Sequence, residues 1–236
     1  MTERGVVYAA TGGRFVEEAI SSARSSLRFN RLPHLIFCDS QPSGHDDNEF
    51  LRFAPLQTSG DGYLDKIRYI GLSPFQHTLF LDTDTYITGN IEELFDLLTR
   101  FDIAATHAPG YLKHDDFGQS EAFFDCNTGV IAIRQNEATA GFIAEWGEIH
   151  ERWSKAPPFA MNALDQAAFR RALWASPLSL YILGPEYNYR SVFPGRLVGQ
   201  AKIIHGRSTN YEKLAAYLNA KIEPRVFKRF PPEWRW

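Results

Sequence analysis

The opening of this chain alternates between two hydrophobic periods, and few folds accept that alternation. Val6-Val7-Tyr8-Ala9-Ala10 is a short apolar run opened by β-branched residues, and it ends at the turn Thr11-Gly12-Gly13. Phe15, Ala19, Ile20, Ala23 and Leu27 then recur at three-to-four spacing, which predicts a helix from Phe15 to Leu27. Leu35-Ile36-Phe37-Cys38 is a second apolar run, stopped by Asp39-Ser40. Strand, helix and strand in so short a span make a βαβ unit, whose parallel strands are buried on both faces.

The alternation continues. Gln41 to Asn48, with Pro42, Ser43 and Gly44, reads as a loop. Phe53 to Leu56 reads as a short strand that Pro55 confines to a sheet edge. Asp61 to Ile70 reads as a helix, with Leu64, Ile67 and Tyr69 for packing and Lys66 and Arg68 as cations. Thr78 to Leu81 is a strand, Ile91 to Arg100 a helix, and Ile103 to Ala105 a strand. Pro109 to Ser120, with Lys113-His114-Asp115-Asp116 inside it, is either a mobile loop over a site or plain surface. Gly129 to Ile133 is a strand, and Ala138 to Trp153 an amphipathic helix. Asn162 to Trp174 is a helix capped by Asn162. Leu180 to Leu183 and Ala201 to Ile204 are late strands. The pattern predicts an α/β fold: a Rossmann-like, mainly parallel sheet flanked by helices. One domain over residues 1–236 is expected, with a basic, aromatic tail from about residue 224.

Composition narrows the function classes. A formal net charge of −3 argues against a general nucleic-acid binder. Cys38 and Cys126 are the only cysteines and make no Cys-x-x-Cys pair. They read as small buried hydrophobes in a reducing compartment. The N-terminus lacks a long apolar segment behind a basic start, and no run approaches the ~20 apolar residues of a membrane helix. A cytoplasmic location is the expectation. The tail run Lys228-Arg229-Phe230 to Trp234-Arg235-Trp236 could touch a membrane, but packing on the domain is the favoured reading.

The chemistry concentrates after the strand Thr78 to Leu81. Asp82-Thr83-Asp84 places two carboxylates at its carboxyl end, where open α/β sheets bind ligands. Together they can hold one hard cation that also binds substrate phosphates. Alone, the motif is more often an acidic turn that caps the next segment; its place after an apolar strand favours function. His205, after the strand Ala201 to Ile204, is a candidate third ligand, and imidazole shifts the preference to Mn²⁺, with Mg²⁺ second. Gly206 would let the backbone approach a phosphate, and Arg207 could grip it bidentately.

The stretch LFLDTDTYITGNIEELF resembles the metal motif of GT-A fold glycosyltransferases, above all family 8, the glycogenin and galactosyltransferase group. Further landmarks follow in the same chain order. The resemblance implies a base-contacting first strand at Tyr8-Ala9-Ala10, a cation at Lys66 or Arg68, and an Asn-x-Gly-Val segment at Asn127 to Val130. It also implies an Asp-Gln pair at Asp165-Gln166 and a late His with Gly at His205-Gly206. The expected ligand is a nucleoside-diphosphate sugar, with UDP favoured. The expected reaction is transfer to an acceptor hydroxyl, with retention at the anomeric carbon. Gln166 and Asp165 would lie near the sugar, and Asp125 is a further carboxylate for the acceptor or for base catalysis. Lys66, Asn127 and Arg207 would meet the donor.

The chain departs from that pattern late. The family usually shows His-x-x-Gly followed by a Lys, whereas here His205-Gly206-Arg207 gives the phosphate role to Arg207. Two rivals remain open. One is a nucleotidyltransferase making nucleotide-sugars, for which Thr11-Gly12-Gly13-Arg14 is a faint glycine-rich loop. The other is a non-catalytic module that binds sugar-nucleotides.

Overall fold

The computed structural model describes residues 3–40, 42, 44, 48–109, 119–120, 122–155 and 165–228. The Lys113-His114-Asp115-Asp116 segment, the Asn162 cap and the tail beyond residue 228 lie outside the described residues.

The βαβ opening forms as the periodicity requires: β1 (Arg4–Ala10), α1 (Gly13–Leu27), β2 (His34–Cys38). Next come β3 (Leu51–Pro55), α2 (Gly62–Gly71), β4 (His77–Leu81), β5 (Thr85–Ile87), α3 (Leu94–Leu97) and β6 (Ile103–His107). Then follow β7 (Cys126–Arg134), α4 (Glu137–Ser154), α5 (Asp165–Ala175) and β8 (Leu180–Ile182). The chain ends in β9 (Tyr189–Arg190), β10 (Gly195–Leu197), β11 (Ile203–His205), α6 (Tyr211–Leu218) and β12 (Arg225–Phe227).

Seven strands make the central sheet in the order β3-β2-β1-β4-β7-β6-β8. β7 runs antiparallel to both neighbours, and the other pairings are parallel. The Pro55 strand takes an edge, where its missing N–H costs no ladder bond. Alternate residues feed two cores. Val6, Tyr8, Leu79, Leu81 and Val130 pack with α1, Leu94 and Phe95 on one face. Val7, Phe80, Ile131 and Ile133 pack with α2, α4 and α5 on the other. Trp146 anchors that second layer edge-on to Phe169, its indole N–H donating to the Asp165 carbonyl.

Two expectations need correction. The helix expected over Ile91 to Arg100 shrinks to Leu94–Leu97. The flanking residues make i→i+3 turns instead, with Leu94 N–H to the Ile91 carbonyl and Arg100 N–H to that of Leu97. The second correction is a small sheet the apolar pattern did not reveal, ordered β5-β11-β9. Its strands have two or three residues, too few to show a period. This sheet decides the site, because it carries His205 against Thr85 and Arg190 in register. The tail packs on the domain as far as Phe227: β12 pairs with β10, and Phe227 lies against Tyr189 and Tyr217.

Candidate active site

β1 and β4 run side by side and end on one edge of the sheet. There Asp82 leaves β4, its N–H held by the Gly129 carbonyl of β7. Thr85 Oγ1 donates to the Asp82 carbonyl and closes the turn. β5 then pairs with β11, which brings His205 over the two aspartates. His205 Nε2 lies 3.5 Å from Asp82 Oδ2 and 3.4 Å from Asp84 Oδ1. One ligand atom from each of the three residues lies within 4.8 Å of the others. The floor is Gly129, where a Cβ would come within 2.7 Å of both Asp82 Oδ2 and His205 Nδ1.

A chain of amides fixes how His205 presents itself. Asn127 Nδ2 donates to Gln166 Oε1 at 2.7 Å, and Asn127 Oδ1 accepts from Asn188 Nδ2 at 2.8 Å and from Gly129 N–H. Asn188 Oδ1, with its amide so committed, accepts from His205 Nδ1 at 2.8 Å. The network assigns the proton to Nδ1 and leaves the Nε2 lone pair aimed at the carboxylates. A lone pair facing two carboxylate oxygens is repulsive without a cation between them. Two carboxylates and one imidazole are a donor set that suits Mn²⁺ better than Mg²⁺. The residues present therefore fit a divalent ion.

Lys66 is the second organising group. It rises from α2, whose first turn Asp61 caps through the N–H groups of Tyr63 and Leu64. Its Nζ lies 3.0 Å from Asp82 Oδ1 and 2.9 Å from Asp165 Oδ2, and donates to Thr128 Oγ1. Thr128 Oγ1 donates in turn to Asp165 Oδ2 at 2.7 Å. Burial alone would lower the Lys66 ammonium, but the charges of Asp165 and Asp82 overcome it and hold it above the usual lysine range. For Asp82, burial pushes upward, and the charge of Lys66 pulls the carboxyl well below its usual range.

Arg207 reaches the same edge. It makes a bidentate pair with Glu18 of α1, at 2.8 and 3.0 Å, and Nη1 lies 4.0 Å from Asp84 Oδ2. Glu18 also accepts from Arg14 and from Thr83, the spacer between the two aspartates.

Neither a scan against protein-family models nor a search of curated proteins finds a match. Solved structures do match, at low identity. The glycosyltransferase GlyE of Streptococcus pneumoniae TIGR4 superposes with a TM-score of 0.56 at 19% identity, over 80% of this chain and 48% of GlyE. Its apo form matches over 99% and 56% at 17% identity, with a TM-score of 0.56. This chain thus spans about half the length of GlyE. Mouse xyloside xylosyltransferase 1 gives a TM-score of 0.54 at 13% identity, over 87% of this chain and 98% of that one. LgtC, in an active-site variant, gives 0.58 at 13% identity and covers 98% of both chains. The chain has the GT-A glycosyltransferase fold.

Within that GT-A fold the expected site residues separate into those that converge and those that do not. Asp82, Asp84, His205, Lys66, Asn127, Asp165 and Gln166 form one bonded cluster. Three groups of expected residues lie outside that cluster. Tyr8 is fully buried, its hydroxyl bonded to Ser22 and its ring beside His34. The Ala10 side chain is likewise buried, and Ala9 packs on the opposite core, so only backbone at the end of β1 can face a ligand. Gly206 has φ 113°, which needs glycine, but its N–H donates to the Asp84 carbonyl and is not open to a phosphate. Asp125, the residue before β7, is buried with Oδ1 3.6 Å from Arg170 Nε of α5. At Thr11-Gly12-Gly13-Arg14, the Gly12 N–H is taken by Asp39 and Arg14 by Glu18, which weakens the likeness to a phosphate loop.

Asn188, Thr128 and Glu18 were missed in the sequence. Each acts through a partner remote in the chain, and Asn188 sits between two tyrosines with no motif around it. Only the pairing of β9 with β11 reveals it.

Proposed function

We propose that this chain is a metal-dependent glycosyltransferase that moves a sugar from a nucleoside-diphosphate sugar to an acceptor hydroxyl. The observation that carries the reading is the convergence of Asp82, Asp84 and His205 Nε2 at the carboxyl edge of a GT-A sheet. These three residues would hold Mn²⁺, with Mg²⁺ as the weaker alternative. A bound divalent ion supplies charge that stabilises a departing diphosphate. UDP is the favoured nucleotide, on the family 8 resemblance. Residues 1–236 act as one catalytic domain in this reading.

The chain's own residues would divide the work. Arg207, held beside Asp84 by Glu18, offers a planar fork to a diphosphate oxygen when that oxygen displaces the carboxylate. Lys66 keeps Asp82 ionised and, by bridging to Asp165, fixes the spacing of the two carboxylates. Asn127 and Gln166, bonded to each other, present amide groups to the sugar hydroxyls. LgtC is a galactosyltransferase whose structure was determined with donor and acceptor sugar analogues. Retention is the proposed outcome. Asp165 Oδ2 is engaged by both Lys66 and Thr128, so that oxygen is not aimed at an acceptor proton, as inversion would need.

The test is hydrolysis of a panel of UDP-sugars with Mn²⁺, in the wild type and in Asp82→Asn/Asp84→Asn. Circular dichroism checks that the variant is folded. The double variant should lose at least about 100-fold in rate, because removing even an outer partner of a metal ligand costs 10–100-fold. Undiminished Mn²⁺-dependent turnover in the double variant would sink the assignment.

A further inference from the structure

A cavity of about 170 Å³ opens beside the amide chain. It is small for a nucleotide-sugar, since whole ligand sites run to 300 Å³ and more. Its walls are apolar at Ile182, Leu183 and Pro194, and polar at Thr106, Asn188 and Arg190. Asn188 is the shared wall, for it also holds His205. Arg190 pairs in register with His205 across β9 and β11, so the two side chains leave the small sheet on the same face.

Two buried polar atoms in this wall have no partner among the described residues: Thr106 Oγ1, on a side chain 3% exposed, and Arg190 Nε. An unmet buried donor costs about 1–3 kcal/mol, and more where the group is charged. The Arg190 guanidinium lies over the Phe193 ring, and no carboxylate among the described residues pairs with it. A half-buried guanidinium without a counter-charge, facing a cavity, is completed by an anion. A fork of N–H donors suits a carboxylate or a phosphate. The buried Thr106 hydroxyl suits a neutral sugar oxygen.

We propose that this cavity is the acceptor subsite, and that the acceptor it takes is a glycan or small molecule bearing an anionic group, bound by Arg190. The inference rests on the glycosyltransferase reading for the word acceptor, but the anion site stands on its own geometry. Seated there, the acceptor would lie one side chain, Asn188, away from the ligand His205.

The experiment is a binding titration of the full chain by calorimetry in EDTA, with no donor present. The probes are glucuronate, glucose 6-phosphate and glucose at equal ionic strength. At least one anionic sugar should bind about tenfold or more tighter than glucose, the worth of one charge-assisted bond. Glucuronate ahead of the phosphate assigns a carboxylate acceptor, and the reverse order a phosphorylated one. Arg190→Gln should reduce both to the glucose level, Arg190→Lys should retain part of the preference, and Thr106→Val should weaken all three probes. An unchanged thermal midpoint reports that each variant is folded. Anionic sugars that bind no tighter than glucose, or equally well to Arg190→Gln, would overturn the proposal. Because metal and donor are absent, a failed donor screen leaves this result standing, and a failed titration leaves the metal site standing.

Discussion

Gly129 shows how one residue type can follow from the site around it. Its place in β7 lies beneath both Asp82 and His205, and a methyl group there would press on each at 2.7 Å. Gly129→Ala is therefore expected to displace the His205 ring and weaken Mn²⁺ binding more than it lowers the melting temperature. A Mn²⁺ titration beside a thermal scan separates the two effects, and a variant that binds the ion normally would contradict this geometry. Asn188 acts one step further out, by fixing the His205 tautomer. Asn188→Ala should cost about 10–100-fold in metal affinity with the fold intact, the usual penalty for losing such a partner. At this scale the sequence was partly legible. Asp82 and Asp84 share one strand end, so spacing alone presents them. Asn188 and Glu18 reach their partners through tertiary structure, and nothing in the local pattern marks them.

Among the elements, the long ones were readable and the short ones were not. α1 and α4 bury several residues at helical spacing, so their period shows. α4 is also specified at its start, where Asn136 and Thr139 cap each other reciprocally. Asn136→Ala should cost about 1 kcal/mol in chemical denaturation, and no measurable change would show that packing alone sets that end. The small sheet β5-β11-β9 was invisible because none of its strands spans two full periods. The consequence is functional: the elements with the weakest local signal carry His205 and Arg190, and their pairing with the strong β4 end assembles the site.

Across the whole molecule, the fold commits one histidine to the core in a neutral state. His34 begins β2, is 1% exposed, and engages the Leu32 carbonyl through Nδ1. Its Nε2 has no partner among the described residues. Burial pushes the imidazole down to about 4. Unfolding restores its ordinary value of about 6.5, so the unfolded chain takes up the proton first as the pH falls. The stability tied to a neutral His34 is complete above about pH 6.5 and is lost progressively toward pH 4. About 2 kcal/mol should be gone by pH 5 relative to pH 8, read from urea denaturation. A flat profile across that range would contradict the buried neutral state. The same sheet that encloses His34 sets the edge where β1 and β4 end, so the active edge depends on the core behind it.

The claim on which the rest depends is that Asp82, Asp84 and His205 bind a divalent ion in concert with a nucleoside diphosphate. Electron paramagnetic resonance of Mn²⁺, titrated with and without UDP, reads this directly. The account predicts one bound Mn²⁺ per chain, held more tightly once UDP is added, and lost in Asp82→Asn/Asp84→Asn. Mn²⁺ that stays free in the presence of UDP, or binds the double variant equally well, would contradict it.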